Sequence, residues 1–366
     1  MTSKSRDVIF LLGAGASAEA GIPPSGEMID RIEALLKDSD SEDWKSYFDL
    51  YNHIKSAIHY AAGLKGQFNK DVPYNIETLV NTLYELERNE EHPLYPFIAS
   101  WNSRFLTLAR GEDGDFTKVR DFRRLILRQL KTWMSPDDVA LADFYKGFIP
   151  LQRGLTFPLH VFSLNYDLCV EQLNSVDFRV ETGFGGVGPK FPWDWERFDD
   201  SNSGPTLPEI YLYKLHGSIN WKRDAGRNLI CLQQTESILP VQMDLIFGRD
   251  FKLEAADPFL FYAYELRQYS FDAKVIICIG YGFGDYHINK ILTQALQRDE
   301  VKRLLVVANC KEDNVVDQKM AEIERVLSVK SENIVVIKGT AKEFLETPDL
   351  HEQLLEMIPK PANAPF

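Results

Sequence analysis

The run VIFLLGAGAS, residues Val8–Ser17, decides how the rest of the chain is read. Val8–Leu12 is apolar without alternation, which suits a strand buried on both faces, as inside a parallel sheet. Gly13-Ala14-Gly15 comes at once, then Ser17, and Gly21-Ile22-Pro23 shortly after. A strand that breaks into glycines and opens a helix is the layout of a phosphate-cradling loop. Glycine permits a tight turn and close backbone approach, and a helix N-terminus offers N–H groups and positive potential. Ser17 would add a hydroxyl donor. The same residues also fit an ordinary strand–turn–helix junction.

Working outward, similar apolar runs appear at His160–Leu164, Ile210–Leu215, Val275–Gly280, Leu304–Ala308 and Ile334–Ile337. Helical stripes lie between several of them, such as Met28, Ile29, Ile32, Leu35 and Leu36, or Ile288, Ile291, Leu292 and Ala295. Strands alternating with helices predict an α/β fold with a Rossmann-type, doubly wound parallel sheet. Between the first two strand runs the periodicity is helical. Trp44, Tyr47, Phe48, Tyr51, Ile54 and Ile58 fit one face; Ile76, Leu79, Val80, Leu83 and Leu86 a second; Phe122, Leu125, Ile126, Leu130 and Trp133 a third. The expected organisation is a core of residues 1–30 and 151–350, an inserted helical module at 31–150, and a tail at 351–366. A second insertion, Trp221–Gln268, is mixed in character.

Bulk properties narrow the function. The 366 residues carry a formal charge of -13, which disfavours direct non-specific binding to nucleic acid. The basic run Arg120, Arg123, Arg124, Arg128 and Lys131 reads as a solvated helix face. Cys169, Cys231, Cys278 and Cys310 are far apart and form no Cys-x-x-Cys pair, so neither a zinc ribbon nor a redox dithiol is expected. The N-terminal apolar run is too short for a secretory signal, and nothing approaches the about 20 apolar residues that span a bilayer. The expectation is a cytoplasmic protein without a membrane segment.

Three further motifs sit just after strands, where open α/β sheets bind ligands. Ser163-Leu164-Asn165-Tyr166-Asp167 supplies an amide at Asn165; Asp167 either caps the next helix or contacts the ligand. Leu215-His216-Gly217-Ser218 places an imidazole beside a glycine, suited to proton transfer near neutrality. Gly280-Tyr281-Gly282-Phe283-Gly284-Asp285 is a second loop where backbone could lie against a ligand. No acidic residue ends a second strand about 20 residues beyond the first glycine loop, so a dehydrogenase fingerprint is missing.

These motifs, in this order, resemble the sirtuin family, which carries a GAG-x-S…GIP loop, an Asn-x-Asp motif, a His-Gly motif and a later glycine-rich turn. Ala308-Asn309 is a further match, at a place where sirtuins hold the adenine-side ribose. The wording KLHGSINW and GFGDYHINKIL resembles the bacterial antiviral group within that family, as does Tyr74-Asn75-Ile76-Glu77 at a helix start. For Glu77 both a helix-dipole role and a ribose contact are open. Two departures stand out. Pro24-Ser25-Gly26 replaces the phenylalanine and arginine that come after GIP in deacylases, and the paired cysteines of their zinc ribbon are missing.

The resemblance implies a sirtuin-like enzyme that takes NAD as substrate, needs no zinc, and hydrolyses it to nicotinamide and ADP-ribose, depleting NAD in antiviral defence. It implies catalytic roles for Asn165, toward ribose hydroxyls or water, and for His216 as general base. Gly13, Ala14, Gly15 and Ser17 would hold the pyrophosphate. Gly280, Gly282, Phe283 and Asn309 would hold the adenosine half, with Asp167 as a further cofactor contact. The group's members assemble, so a homo-oligomer is expected, alongside a nucleic-acid-handling defence partner such as a HerA-type ATPase. The alternatives are a protein deacylase and a non-catalytic sensor of NAD or ADP-ribose.

Overall fold

The computed structural model describes residues 5–38, 42–68, 72, 74–89, 103–110, 116–136, 138–186, 189–199, 207–247, 257–310 and 312–359. The chain forms two compact units. The first unites residues 1–22 and 134–246 with the chain from 251 onward; the second is Pro23–Trp133 with a few residues near 250.

The first unit is built on a seven-stranded sheet. Its strands are β1 (Val8–Leu12), β2 (Leu159–Ser163), β3 (Val180–Glu181), β5 (Ile210–Lys214), β9 (Val275–Ile279), β10 (Arg303–Ala308) and β11 (Ile334–Lys338), in the order β11-β10-β9-β1-β2-β5-β3. Every pairing is parallel. All six predicted strands are present, each within one residue of its expected ends. The reason is burial: β1, β2, β5 and β9 are covered along their whole length, so β1 and β9 are apolar throughout and β2 and β5 are predominantly apolar. Each large aliphatic side chain so buried contributes about 1.5–3 kcal/mol. The sheet is doubly wound, as expected.

A smaller antiparallel sheet hangs from the end of β5. It comprises β4 (Lys190–Pro192), β7 (Leu229–Leu232), β6 (Gly217–Arg223) and β8 (Met243–Leu245), in the order β4-β7-β6-β8. Aromatic packing supports it: Trp221 is buried against Phe184, with ring centroids 4.9 Å apart. Gly217, at φ +89°, makes the corner from β5 into β6; a Cβ there would lie 2.0 Å from the Asp244 carbonyl oxygen. Among the described residues no group of three or more His, Cys, Asp or Glu could hold a metal ion, and all four cysteines are free thiols. No helix among them is long and apolar enough to cross a membrane.

The boundaries differ from the sequence reading in three places. Residues 139–150, expected within the helical module, belong to the sheet unit, where Phe148 packs edge-on against Phe10 of β1 at 5.4 Å, and residues 23–30, expected in the core, belong to the second unit. The expected tail begins as a helix, Leu350–Met357, with Leu350 and Leu354 buried. The His351 ring lies so close to Gly154 that a Cβ there would meet it at 2.2 Å. Residues 360–366 of that tail lie outside the described residues.

The second unit contains the helices Ser25–Lys37, Phe48–Gly63, Ile76–Asn89, Ser103–Ala109 and Thr117–Trp133. Its aromatic stripe packs internally: Tyr47 stacks on Phe122 at 4.9 Å and Trp44 meets the same ring edge-on at 6.4 Å. Phe48 instead points outward. The basic helix is only partly a solvated face, since Arg123 pairs with Glu87 at 2.7 Å and lies over the Tyr84 ring. Asn75 caps Ile76–Asn89 by accepting from the Thr78 N–H at 2.9 Å, which places Glu77 in the first turn.

One buried titratable group gives the sheet unit a pH signature. His160, on β2, stacks on Tyr269 at 3.9 Å and on Tyr211 at 5.2 Å. Burial, helped by the charge of Arg6, holds its imidazole down to about 3. The unfolded chain therefore takes up a proton between pH 6.5 and 3 that the folded chain refuses, and stability falls as pH drops through that window. From pH 7 to pH 4 this group alone removes about 3 kcal/mol. His160→Phe keeps the stack and has no proton to take up. Urea midpoints at the two pH values should show the variant losing less stability than wild type by about that amount; equal losses would reject the assignment.

Candidate functional site

In open α/β sheets ligands sit outside the carboxyl ends of the strands, where the winding reverses. β1 leads to β2 on one side, while β9 flanks β1 on the other and leads to β10, so the reversal falls between β1 and β9. The two glycine loops leave the sheet at this place.

They are packed together by backbone. The Gly13 N–H donates to the Ile279 carbonyl at 2.9 Å and the Gly15 N–H to the Gly280 carbonyl at 2.9 Å. A Cβ on Gly13 would stand 2.6 Å from the Tyr281 Cα, and one on Gly280, at φ +62°, 2.1 Å from the Ala16 nitrogen. These glycines are thus required by the loop–loop contact itself. Gly282 and Gly284 are different: a Cβ on either would meet nothing within 4 Å. Between them Phe283 is buried in the left-handed region, at φ +57°. Its carbonyl accepts from the Asn289 amide at 2.7 Å, and Asn289 in turn accepts from the Tyr281 hydroxyl at 2.8 Å. Strain of this kind persists where surroundings over-determine it, and it concentrates at binding loops.

The residues after β1 form a tight 3₁₀ helix, Ala14–Ala20, which buries Ser17. Its hydroxyl donates to Asp167 Oδ2 at 2.8 Å and accepts from Asn165 Nδ2 at 3.1 Å. With its one proton so used, it accepts from the Tyr145 hydroxyl at 2.9 Å. Ser17 therefore fixes the Asn165 amide from beneath. Asp167 accepts from the Cys169 N–H at 3.0 Å and so caps its own turn. Below it Lys214 is buried, donating to the Asp167 carbonyl and standing 3.2 Å from Glu171 Oε1. Burial raises the Glu171 carboxyl above its ordinary range despite that lysine.

Asn165 and His216 stand above neighbouring strands in register. Ser163 pairs with Lys214, the Leu215 N–H donates to the Ser163 carbonyl at 2.9 Å, and each site residue lies two positions beyond its strand. Both residues thus follow the carboxyl ends of two adjacent parallel strands at the same offset. The Tyr166 ring lies 6.3 Å from the His216 ring, and the His216 carbonyl accepts from the Ile246 N–H at 2.9 Å. His216 Nε2 is 3.2 Å from Asp285 Oδ2. Asp285 also caps the helix Tyr286–Arg298, its Oδ1 accepting from the N–H groups of His287 at 2.8 Å and Ile288 at 3.1 Å. Burial pushes the Asp285 carboxyl up, but His216 and these N–H groups outweigh it and leave it below its ordinary range. β5 and β9 are three positions apart in the sheet, roughly 14 Å, so this contact reaches across the ends of β1 and β2.

The fold thus ties Gly13 and Gly15 to the loop after β9 by backbone hydrogen bonds and, separately, links Ser17, Asn165 and Asp167 through their side chains; Ala14 is half-buried. Asn309 is exposed beyond β10, two strands from β1. Sequence reasoning missed Asp285, Lys214 and Tyr145. Asp285 closes the quoted motif GYGFGD, so its signal was present; Tyr145 had none, since it lies in a segment read as part of the helical module.

Among solved structures, Sir2 homologues are similar over nearly the whole chain. A mutant Sir2 homologue in complex with 2′-O-acetyl ADP ribose is 13% identical at a TM-score of 0.43, covering 97% of this chain and 94% of that one. A Sir2 homologue–NAD complex is likewise 13% identical at 0.43, covering 96% and 90%. A structure described under the mechanism and regulation of Sir2 enzymes is 14% identical at 0.38, covering 97% and 94%. No curated protein matches the sequence. The family model for the SIR2-like domain matches residues 159–337, the stretch from β2 to β11 that carries Asn165, His216 and Asp285, and this part of the chain is similar to that domain.

Proposed function

We propose that this chain binds NAD at the carboxyl edge of the sheet and hydrolyses its nicotinamide–ribose bond. The observation that carries the reading is the placement of Asn165 and His216 at equal offset above in-register parallel strands, beside two glycine loops at the winding reversal. Gly282 and Gly284, open where a Cβ would project, let a dinucleotide approach the backbone, and Ala14 with Gly15 faces the pyrophosphate from the other loop. Ser17 supports the site from within, since its hydroxyl is committed to Asp167. Asn309 lies on the adenosine side.

Rupture at C1′ expels neutral nicotinamide and leaves an oxocarbenium-like sugar, so little acid assistance is needed. The chain supplies position and a base. Asn165, its amide nitrogen held by Ser17, presents its carbonyl oxygen to a ribose hydroxyl or water. His216 accepts the proton as water adds to C1′, giving nicotinamide, ADP-ribose and a proton. The likeness of KLHGSINW and GFGDYHINKIL to the antiviral group extends the proposal to NAD depletion in defence. In that setting the chain works as a cytoplasmic homo-oligomer, with a nucleic-acid-handling partner such as a HerA-type ATPase.

The test is chromatography of NAD incubated with the purified chain, alone and with such a partner and nucleic acid. Equimolar nicotinamide and ADP-ribose are expected. Release that depends on an acylated peptide would indicate a deacylase instead. Tight NAD binding without cleavage under every condition would indicate a sensor.

A further inference from the structure

His216 has a fixed neighbour to which the proposed hydrolysis assigns no role. Asp285 ends the loop after β9, and its two carboxylate oxygens do different things. Oδ1 is held by the N–H groups of His287 and Ile288, so the helix Tyr286–Arg298 pins the carboxylate in place. Oδ2 is thereby aimed at His216 Nε2, 3.2 Å away. The neighbouring strained turn is braced from the same helix, through Asn289 bonded to Tyr281 and Phe283.

We propose that Asp285 is a positioning residue for His216, fixing the imidazole with its proton on Nε2 and its lone pair on Nδ1 for proton acceptance. The proposal rests on the proposed NAD hydrolysis for its catalytic consequence, though not for its geometry. An ionised carboxylate only accepts hydrogen bonds, so the nitrogen facing it carries the proton. A neutral imidazole then has its basic lone pair on the other nitrogen. Holding one tautomer also spares the ring a reorientation during the reaction, which is why partners behind a working imidazole commonly matter to turnover. The helix cap adds what a mobile surface acid would lack: the carboxylate cannot swing away without losing two backbone donors.

Two substitutions separate this role from that of a cap. Asp285→Asn keeps an oxygen for the cap but presents an amide N–H to Nε2, which reverses the favoured tautomer. Asp285→Ser caps as well and removes the acceptor beside the ring. Both should melt within a few degrees of wild type. For nicotinamide release from NAD, both should lower kcat about 10–100-fold while KM stays within about threefold. In ¹⁵N spectra of histidine-labelled full-length chain at pH 8, the His216 signals should show Nε2–H in wild type and Nδ1–H in Asp285→Asn. Wild-type kcat in both variants, or a His216 tautomer indifferent to Asp285→Asn, would overturn the proposal. Should the wild type fail to cleave NAD, the proposed reaction fails, and the tautomer measurement decides this inference on its own.

Discussion

His216→Ala removes most nicotinamide release, by about 10²–10⁴-fold in kcat, the usual contribution of a positioned proton acceptor. Asn165→Ala has an effect of the same order, because the amide held by Ser17 follows the strand next to that of His216 at the same carboxyl edge. The double variant loses little beyond the worse single one, since residues that act as a unit are far from additive. Neither change threatens the fold. Both side chains lie past the strand ends, and the pairing of Ser163 with Lys214 beneath them is untouched. Single-turnover release of nicotinamide, with melting curves as the control, checks all three. Undiminished release from both single variants would remove the site assignment.

Gly280→Ala has the largest expected effect on stability, about 4 kcal/mol or more and a melting temperature lower by roughly 10 °C. Two costs combine. An L side chain at φ +62° is strained, and its Cβ would stand 2.1 Å from the Ala16 nitrogen and 2.3 Å from the Gly15 carbonyl carbon. Backbone cannot rotate aside as a flexible side chain can, so the loops after β1 and β9 must separate. Gly282→Ala is the matched control. Its Cβ would meet nothing within 4 Å, so melting should move by no more than about 2 °C. If NAD passes over this turn, the same methyl raises KM about tenfold. A Gly280→Ala chain that melts like wild type would show that the loop–loop contact is not as described.

The strands were legible because β1, β2, β5 and β9 are buried on both faces, and such burial writes itself as a predominantly apolar run without alternation. The glycine motifs were legible as loops but not as to cause. Gly13 and Gly280 are glycine because two backbones touch, whereas Gly282 is glycine where space is open, and one letter cannot distinguish these reasons. Ser17 was read as a donor to a ligand; folding instead buries it as the link between Asn165, Asp167 and Tyr145, partners 128 to 150 positions away. The module's end differs because the helical stretch 139–150 carries the same amphipathic periodicity whichever unit covers its apolar face.

By itself the sequence determined the parallel α/β core, the order of its strands along the chain, and the residues at their carboxyl ends. These arise from local burial and turn chemistry, which act over a few neighbouring positions. Only the tertiary structure decided that β9 returns beside β1, that Asn165 and His216 stand over adjoining strands, and that Asp285 reaches His216 from 69 positions away. Such juxtapositions depend on which strands pair, a non-local choice set by the packing of the whole sheet.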